Sequence, residues 1–230
     1  DAADQHGEID IKAAYVRGVE RFAVKIASGF PGNAKLGLPT GSGMMVVFTA
    51  RTGLCEAVLL DNGYLTDLRT GLAGAVAADH LAPKEIGTVG VLGTGVQARY
   101  QVLCLALVRK VKRILVWGRS GEQLARYVEE MSSRHDFELE IAQSIEELVR
   151  RSQLLITVTA SRSPLVRAEW LQPGVHVTAV GADFPGKCEL EPAVLERADR
   201  LYCDRLEQCR RLGELQHWQG SRPLQATELG

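Results

Sequence analysis

The sequence predicts an α/β protein: a doubly wound parallel sheet preceded by a smaller, mainly antiparallel module. Two observations carry this. From Thr66 onward, short apolar runs alternate with helical patterns at the spacing of βαβ units, which join parallel strands. Before that, residues 1–64 hold short apolar runs separated by Gly-rich turns, the pattern of strands joined by tight connections. At 230 residues the chain is long enough for one large or two modest domains.

Each element follows in order. Phe22–Ile26, Met44–Thr49 and Glu56–Leu60 read as strands, with turns at Gly29-Phe30-Pro31-Gly32-Asn33 and Arg51-Thr52-Gly53. Arg69–Leu81 is Ala-rich and helical, with Thr66 or Asp67 as its cap. Thr88–Leu92 is a strand and Val96–Val108 a helix. Arg113–Trp117 is a strand, followed by a helix over Gly121–Arg134 that Ser120 and Gln123 open as a capping box. Ser144 and Glu147 open a short helix before strand Leu154–Thr159. His176–Val180 and Arg200–Cys203 are strands, with helix Glu191–Arg197 between them. The chain begins at Asp1 without Met or a signal peptide, and it ends in a polar stretch, Gln219–Gly230, that closes no element. It reads as a piece of a longer protein.

Composition narrows the function classes. Lys+Arg number 27 against 28 Asp+Glu, a formal net charge of −1, and no polybasic block occurs. This argues against nucleic acid and anionic membranes as partners. The longest apolar candidate, Val102–Val108, is far short of the ~18 residues of a membrane span. Cysteine is present at five positions (55, 104, 188, 203 and 209) with no CxxC pair, which argues against a disulfide framework or a metal site and for a reducing cytoplasm. Cys55, Cys104 and Cys203 fall in apolar patterns and read as core.

The strongest motif is Gly90-Val91-Leu92-Gly93-Thr94-Gly95-Val96-Gln97-Ala98, a G-x-G-x-x-A between a strand and a helix. Gly93 permits the tight turn, Gly95 lets the backbone approach a pyrophosphate, and Ala98 lets helix and strand pack closely. Gly93, Thr94, Gly95, Val96 and Gln97 would bind the cofactor, its phosphates sitting on N–H groups at the helix start. This is the fingerprint of a dinucleotide cofactor. The next strand ends in Trp117-Gly118-Arg119-Ser120 without the carboxylate that grips an NAD ribose. Arg119, assisted by Ser120, suits a 2′-phosphate, which leans toward NADP(H). Arg119 as a solvated loop residue and Ser120 as a plain N-cap are the competing readings.

Four motifs in order, Phe22-Ala23-Val24-Lys25-Ile26, Pro31-Gly32-Asn33, Leu65-Thr66-Asp67-Leu68-Arg69-Thr70 and, after the fingerprint, Gly181-Ala182-Asp183-Phe184-Pro185-Gly186-Lys187-Cys188-Glu189-Leu190, resemble the ornithine cyclodeaminase/mu-crystallin family. The resemblance runs from about Gly7 to about Glu214. His6-Gly7-Glu8, Leu60-Asp61-Asn62-Gly63-Tyr64 and the Arg69-Thr70 helix look most like the cyclodeaminase-like members of ectoine utilisation. The resemblance implies a Rossmann-type domain set within a substrate-binding and dimerisation domain. Its boundaries here would be 1–66 for the first part of the substrate domain, 67–86 for a connecting helix, 87–214 for the Rossmann domain, and 215–230 for a segment returning to the substrate domain. It also implies a homodimer, a nicotinamide cofactor, and an amino-acid or imine substrate. A cyclodeaminase works at the Cα–N bond through hydride transfer and an imine, releasing ammonia. Related members are imine reductases or amino-acid dehydrogenases, and others only bind ligands. The segment Glu8-Ile9-Asp10-Ile11-Lys12 departs from the family's apolar-Met-Pro stretch.

The residues support this with alternatives beside each. Lys25 interrupts an apolar strand, so it faces either solvent or a cleft as a carboxylate partner; the resemblance favours the second, with Lys25 also a catalytic proton carrier beside Asp183. Arg69, expected in a helix first turn where a cation is disfavoured, suits a bound carboxylate or else a structural ion pair. Thr70 offers an N–H and a hydroxyl to a cofactor phosphate. Asp183 follows a strand at the carboxyl end of the sheet and suits proton transfer, or else an Asx turn. The Thr159-Ala160-Ser161 loop ends another strand at that edge and would lie near the nicotinamide ribose. His80 and His176 read as structural. Arg109, Lys110, Lys112 and Arg113 read as a solvated charge run.

Overall fold

The computed structural model describes residues 7–221 and 223–229. The chain divides into two compact units, with the division between Arg69 and Thr70.

The first unit is a four-stranded antiparallel meander of β1 (Glu8–Ala14), β2 (Arg21–Gly29), β3 (Gly41–Thr49) and β4 (Cys55–Leu59), paired in that order. Strand β1 was not expected. Its alternation of polar and apolar residues is a strand signal, but all seven residues are exposed. Register places Lys25 of β2 between Lys12 of β1 and Met45 of β3. Phe22 and Phe48, opposite each other, stack at 5.1 Å. Cys55, expected in the core, is exposed, because β4 is an edge strand with little to cover it.

Helix α1 (Tyr64–Leu81) starts five residues earlier than expected. Neither Thr66 nor Asp67 caps it. Asp61 does, its Oδ2 accepting the Leu65 N–H at 2.7 Å, after a turn in which Asn62 (φ 52) and Gly63 (φ 91) are left-handed.

The second unit is built on a five-stranded, all-parallel sheet. Its strands are β5 (Thr88–Leu92), β6 (Arg113–Trp117), β7 (Glu138–Ile141), β8 (Leu154–Thr157) and β10 (His176–Ala179), ordered β10-β8-β5-β6-β7. Helices α2 (Val96–Val108), α3 (Gly121–Arg134) and α4 (Ile145–Arg151) follow β5, β6 and β7. Alternate strand residues supply opposite faces. Val89, Val91, Ile114, Val116, Leu154 and Ile156 pack with Ala98, Val102, Leu105, Tyr127 and Met131. Leu92, Leu115 and Leu155 pack with Leu148, Val149 and Leu171. A parallel sheet covered on both faces reads as continuous apolar runs, which is why β5, β6 and their helices stand where the sequence predicts them.

Smaller pieces complete this unit. Strand β9 (Arg162–Val166) pairs with β11 (Cys188–Leu190), and helices α5 (Pro192–Arg197) and α6 (Leu206–Cys209) follow. The strand expected at Arg200–Cys203 is not part of the parallel sheet. Only Tyr202–Cys203 (β12) is extended, and it pairs with Thr227–Glu228 (β13), so the polar C-terminal stretch does form an element. Leu224 and Ala226 pack on the second core cluster. Arg109 is not a solvated charge: its side chain is 12% exposed, pairs with Asp79, and donates to the Ala78 carbonyl at 3.1 Å. Among the described residues, no helix is long and apolar enough to cross a membrane.

Candidate functional site

The carboxyl edge of the parallel sheet gathers one group of the expected residues. Strand order reverses between β5 and β8, so the loops after these strands leave at the switch point where open parallel sheets bind ligands. After β5, Gly93 adopts φ 125 and donates its N–H to the Trp117 carbonyl at 2.9 Å. A Cβ there would come within 2.9 Å of the Val158 carbonyl oxygen, so the position admits only glycine without backbone movement. Gly95 differs: it is exposed, and a Cβ would meet nothing within 4 Å. As the N-cap of α2 it brings no side-chain acceptor, whereas Asp61 caps α1 and Ser120 Oγ caps α3 by accepting the Gln123 N–H at 3.4 Å. A helix start facing open space with no acceptor of its own fits a pyrophosphate. Ala98, fully buried, gives the close packing behind the turn.

Arg99 braces the turn and was missed by the sequence reading. Its Nη1 donates to the carbonyls of Thr94 (2.8 Å) and Gly95 (3.0 Å), and its Nε to Glu130 at 2.7 Å. Its signal was a cation in a helix first turn that lacks acidic residues, an unfavourable place unless carbonyls hold it. Beyond β6, Arg119 is exposed and has no ion-pair partner among the described residues, and no carboxylate follows Trp117.

After β8, Ala160 is exposed, and the Ser161 hydroxyl donates to the Ser163 carbonyl at 2.6 Å. After β10, Asp183 is exposed, with its carboxylate taken by Lys187 Nζ at 2.5 Å rather than by an Asx turn. Two buried carboxylates behind these loops were also missed. Glu189, with no exposed surface, accepts from Thr159 N–H (2.6 Å), Thr157 Oγ1 (2.8 Å) and Gly181 N–H (2.9 Å). Glu214 accepts from Glu189 N–H (2.8 Å) and Leu190 N–H (3.1 Å). Burial pushes both above the ordinary carboxylate range, against the pull of these donors. The only sequence signal was two acids in apolar surroundings.

The antiparallel unit gathers a second group. Lys25 is half-buried, directly opposite Lys12, which pairs with Asp10 at 3.3 Å. Burial, then the Arg69 guanidinium and the Lys12 ammonium, pull Lys25 below the ordinary lysine value; Asp10 and Asp61 work against them. Lys12 was not singled out from the sequence, although alternation with Asp10 was its signal. Arg69 is exposed and is the sixth residue of α1, so it does not stand in the first turn and the dipole argument for it lapses. Thr70, one residue on, is inside the helix, so its N–H is not one of the orphan donors at a helix start. Its carbonyl accepts from Gln101 Nε2 at 2.9 Å. His6 lies outside the described residues. His176 is partly buried, its Nε2 3.1 Å from Thr178 Oγ1, and His80 is exposed.

Comparison with known proteins places this geometry. The chain is 44% identical over 217 residues to an uncharacterized cyclodeaminase of Sinorhizobium fredii, covering 94% of this chain and 66% of that protein. It superposes on an archaeal alanine dehydrogenase dimer with bound NAD at a TM-score of 0.79 and 30% identity, covering 94% of this chain and 69% of that one. A lysine cyclodeaminase, solved for its recognition of L-lysine, L-ornithine and L-2,4-diaminobutyric acid, superposes at 0.81 with 30% identity, covering 91% and 64%. The chain thus spans about two thirds of the length of such relatives. The model of the ornithine cyclodeaminase/mu-crystallin family matches residues 1–230, and the chain belongs to that family.

Proposed function

We propose that the chain acts in an NAD(P)-dependent, ornithine-cyclodeaminase-like enzyme working at the Cα–N bond of a small amino acid, with an imine intermediate and ammonia release. The observation that carries this is the switch-point edge. An open, uncapped glycine turn after β5, the Ala160–Ser161 loop after β8 and Asp183 after β10 all lie at one end of one sheet. Thr94, Gly95, Val96 and Gln97 would hold the pyrophosphate, and Ala160 and Ser161 the nicotinamide ribose. Arg119 and Ser120 would meet the adenosine ribose, with Arg119 favouring a 2′-phosphate. Nicotinamide, when bound, supplies a reversible hydride acceptor.

The chain's own residues supply the rest. Lys25 and Arg69 are the proposed grip on the substrate carboxylate, with Arg69 capable of a bidentate contact. Lys25, held below the ordinary lysine value by burial and by the Arg69 and Lys12 cations, is also the second proposed proton carrier. Asp183 would take a proton from the substrate nitrogen as the imine forms and return one to the departing ammonia. Release from Lys187 would free it to do so. Thr70 as a phosphate contact is the weakest member, since it is inside α1.

The partner is a second copy of the chain, in a cytoplasmic homodimer. Supporting this, one neighbour is described as a dimer, and the antiparallel sheet leaves an apolar row, Ile11, Ile26 and Met44, with Ile11 70% exposed. His6-Gly7-Glu8, Leu60-Asp61-Asn62-Gly63-Tyr64 and Arg69-Thr70 support the narrower likeness to ectoine-utilisation members. A second reading, an imine reductase or amino-acid dehydrogenase, is favoured by the alanine dehydrogenase neighbour. A mu-crystallin-like binding protein is the third, and a proton-transfer carboxylate argues against it.

One assay separates the three. With L-ornithine, L-lysine and L-alanine as substrates, ammonia without net NAD(P)H change is expected of a cyclodeaminase. Ammonia matched by NAD(P)H indicates a dehydrogenase, and neither indicates a binder. In the active case Asp183→Asn should lower turnover by roughly 10²–10⁴ with binding largely kept. Wild-type turnover would remove Asp183 from the mechanism.

A further inference from the structure

We propose that Glu189 is a positioning residue that ties the Thr159–Ser161 loop to the Gly181–Asp183 loop and sets the geometry of the cofactor edge. This rests on the functional reading above. The carboxylate makes one connection to each loop backbone. Oε1 accepts the Thr159 N–H at 2.6 Å, while Oε2 accepts the Thr157 hydroxyl at 2.8 Å and, at 2.9 Å, the Gly181 N–H, which also reaches the Thr157 carbonyl at 3.2 Å. Thr157 ends β8, and Thr159 and Gly181 follow β8 and β10, the two strands on the far side of the switch point from the glycine turn. Thr159 precedes Ala160 directly, and Gly181 stands two residues before Asp183.

The fit is close. A Cβ at Gly181 would lie 2.4 Å from Glu189 Oε2 and 2.3 Å from the Thr159 carbonyl oxygen, so glycine is what lets the two loops meet over this carboxylate. Glu189 is itself held from behind. Glu214, in a 3₁₀ turn over Glu214–His217, accepts the backbone N–H of Glu189 and of Leu190. A neutral, apolar filler would pack this space at less desolvation cost. What only an acceptor with two oxygens does is satisfy two backbone N–H groups from two loops at once.

An amide is the discriminating replacement. Glu189→Gln keeps the shape but has one acceptor oxygen, so either the Thr159 or the Gly181 N–H must face an NH₂ group. The first measurement is on the unaltered protein. Amide hydrogen exchange should protect Thr159 and Gly181, though both lie in loops, as strongly as β8. Fast exchange at either would overturn the tie.

In Glu189→Gln, exchange at residues 159–161 and 181–183 should rise about tenfold or more, with α2 and β6 unchanged. NADH affinity, read by fluorescence, should fall about tenfold. Thr157→Val, which removes the hydroxyl donor but neither loop anchor, should leave NADH affinity within about threefold. Uniform loosening of the whole sheet, or unchanged NADH affinity in a folded Glu189→Gln, would overturn the proposal. Should Glu189→Gln not fold, the exchange result on the unaltered protein and the Thr157→Val result decide. Failure of the underlying reading is distinguishable: Asp183→Asn would then keep full turnover while the exchange pattern stood.

Discussion

Strand β5 is buried at all five residues, whereas β1 is exposed at all seven. The nucleotide unit closes its own core on both faces of its sheet, so the exposed residues of its carboxyl edge, Gly95, Arg119, Ala160 and Asp183, stand outside that core. The antiparallel unit has no such reserve. Its β2 is only half-buried from Phe22 onward, and Ile9, Ile11 and Val58 stand open. At the sheet edge, binding and stability can therefore be changed separately. In the antiparallel unit the same strand must both hold the fold together and present Lys25.

Gly95→Asp should break this separation if it is wrong. It stands in open space, so the fold and melting temperature should survive. NADH affinity should fall by about two orders of magnitude or more, as a charge enters where the pyrophosphate approaches. Loss of folded protein would show that the edge is part of the core after all.

Arg119→Ala sharpens the comparison further. Removing one ion-assisted contact should weaken NADPH by ~1.5–3 kcal/mol, roughly 10- to 150-fold, and leave NADH nearly untouched. Equal effects on both nucleotides would return Arg119 to solvent.

The smallest effect concerns stability and has a defined sign. Burial holds Glu214 above its ordinary range in the fold. The folded state then binds more protons than the unfolded state between those two values. Its contribution is full below the ordinary carboxylate pKa and is lost as pH rises through the raised one. The stability advantage of the wild type over Glu214→Gln should therefore be largest in acid and shrink toward neutrality, in denaturant melts across that range. A gap that widens with rising pH would mean the two N–H donors outweigh burial.

Legibility from sequence divides along the same line. Thr88–Leu92, Val96–Val108, Arg113–Trp117 and Gly121–Arg134 stand where the pattern puts them, because a two-sided core leaves long apolar runs and Ser120 marks the start of the second helix. The glycine turn was legible because its G-x-G-x-x-A spacing sits between a strand and a helix, and Gly93 answers a steric demand of the fold. Strand β1 and the start of α1 were not read. A one-sided strand carries only half the apolar signal, and the cap at Asp61 lies behind two left-handed residues that look like a loop. Glu189, Glu214 and Arg99 gave only faint signals for another reason. Their partners are mostly backbone groups brought near by the fold, and sequence spacing does not encode those.

The pairing of β12 with β13 has a consequence in time. Tyr202 and Cys203 wait for Thr227 and Glu228, and Leu224 and Ala226 then cover a core cluster built from residues translated long before. On the ribosome, that cluster stays uncovered while some twenty further residues emerge, a lag on the order of seconds. The parallel sheet is complete in sequence before β13 is made, so β13 acts as a latch that closes over that cluster afterwards. A chain that stalls before Ala226 would present an apolar seam to chaperones rather than a finished surface.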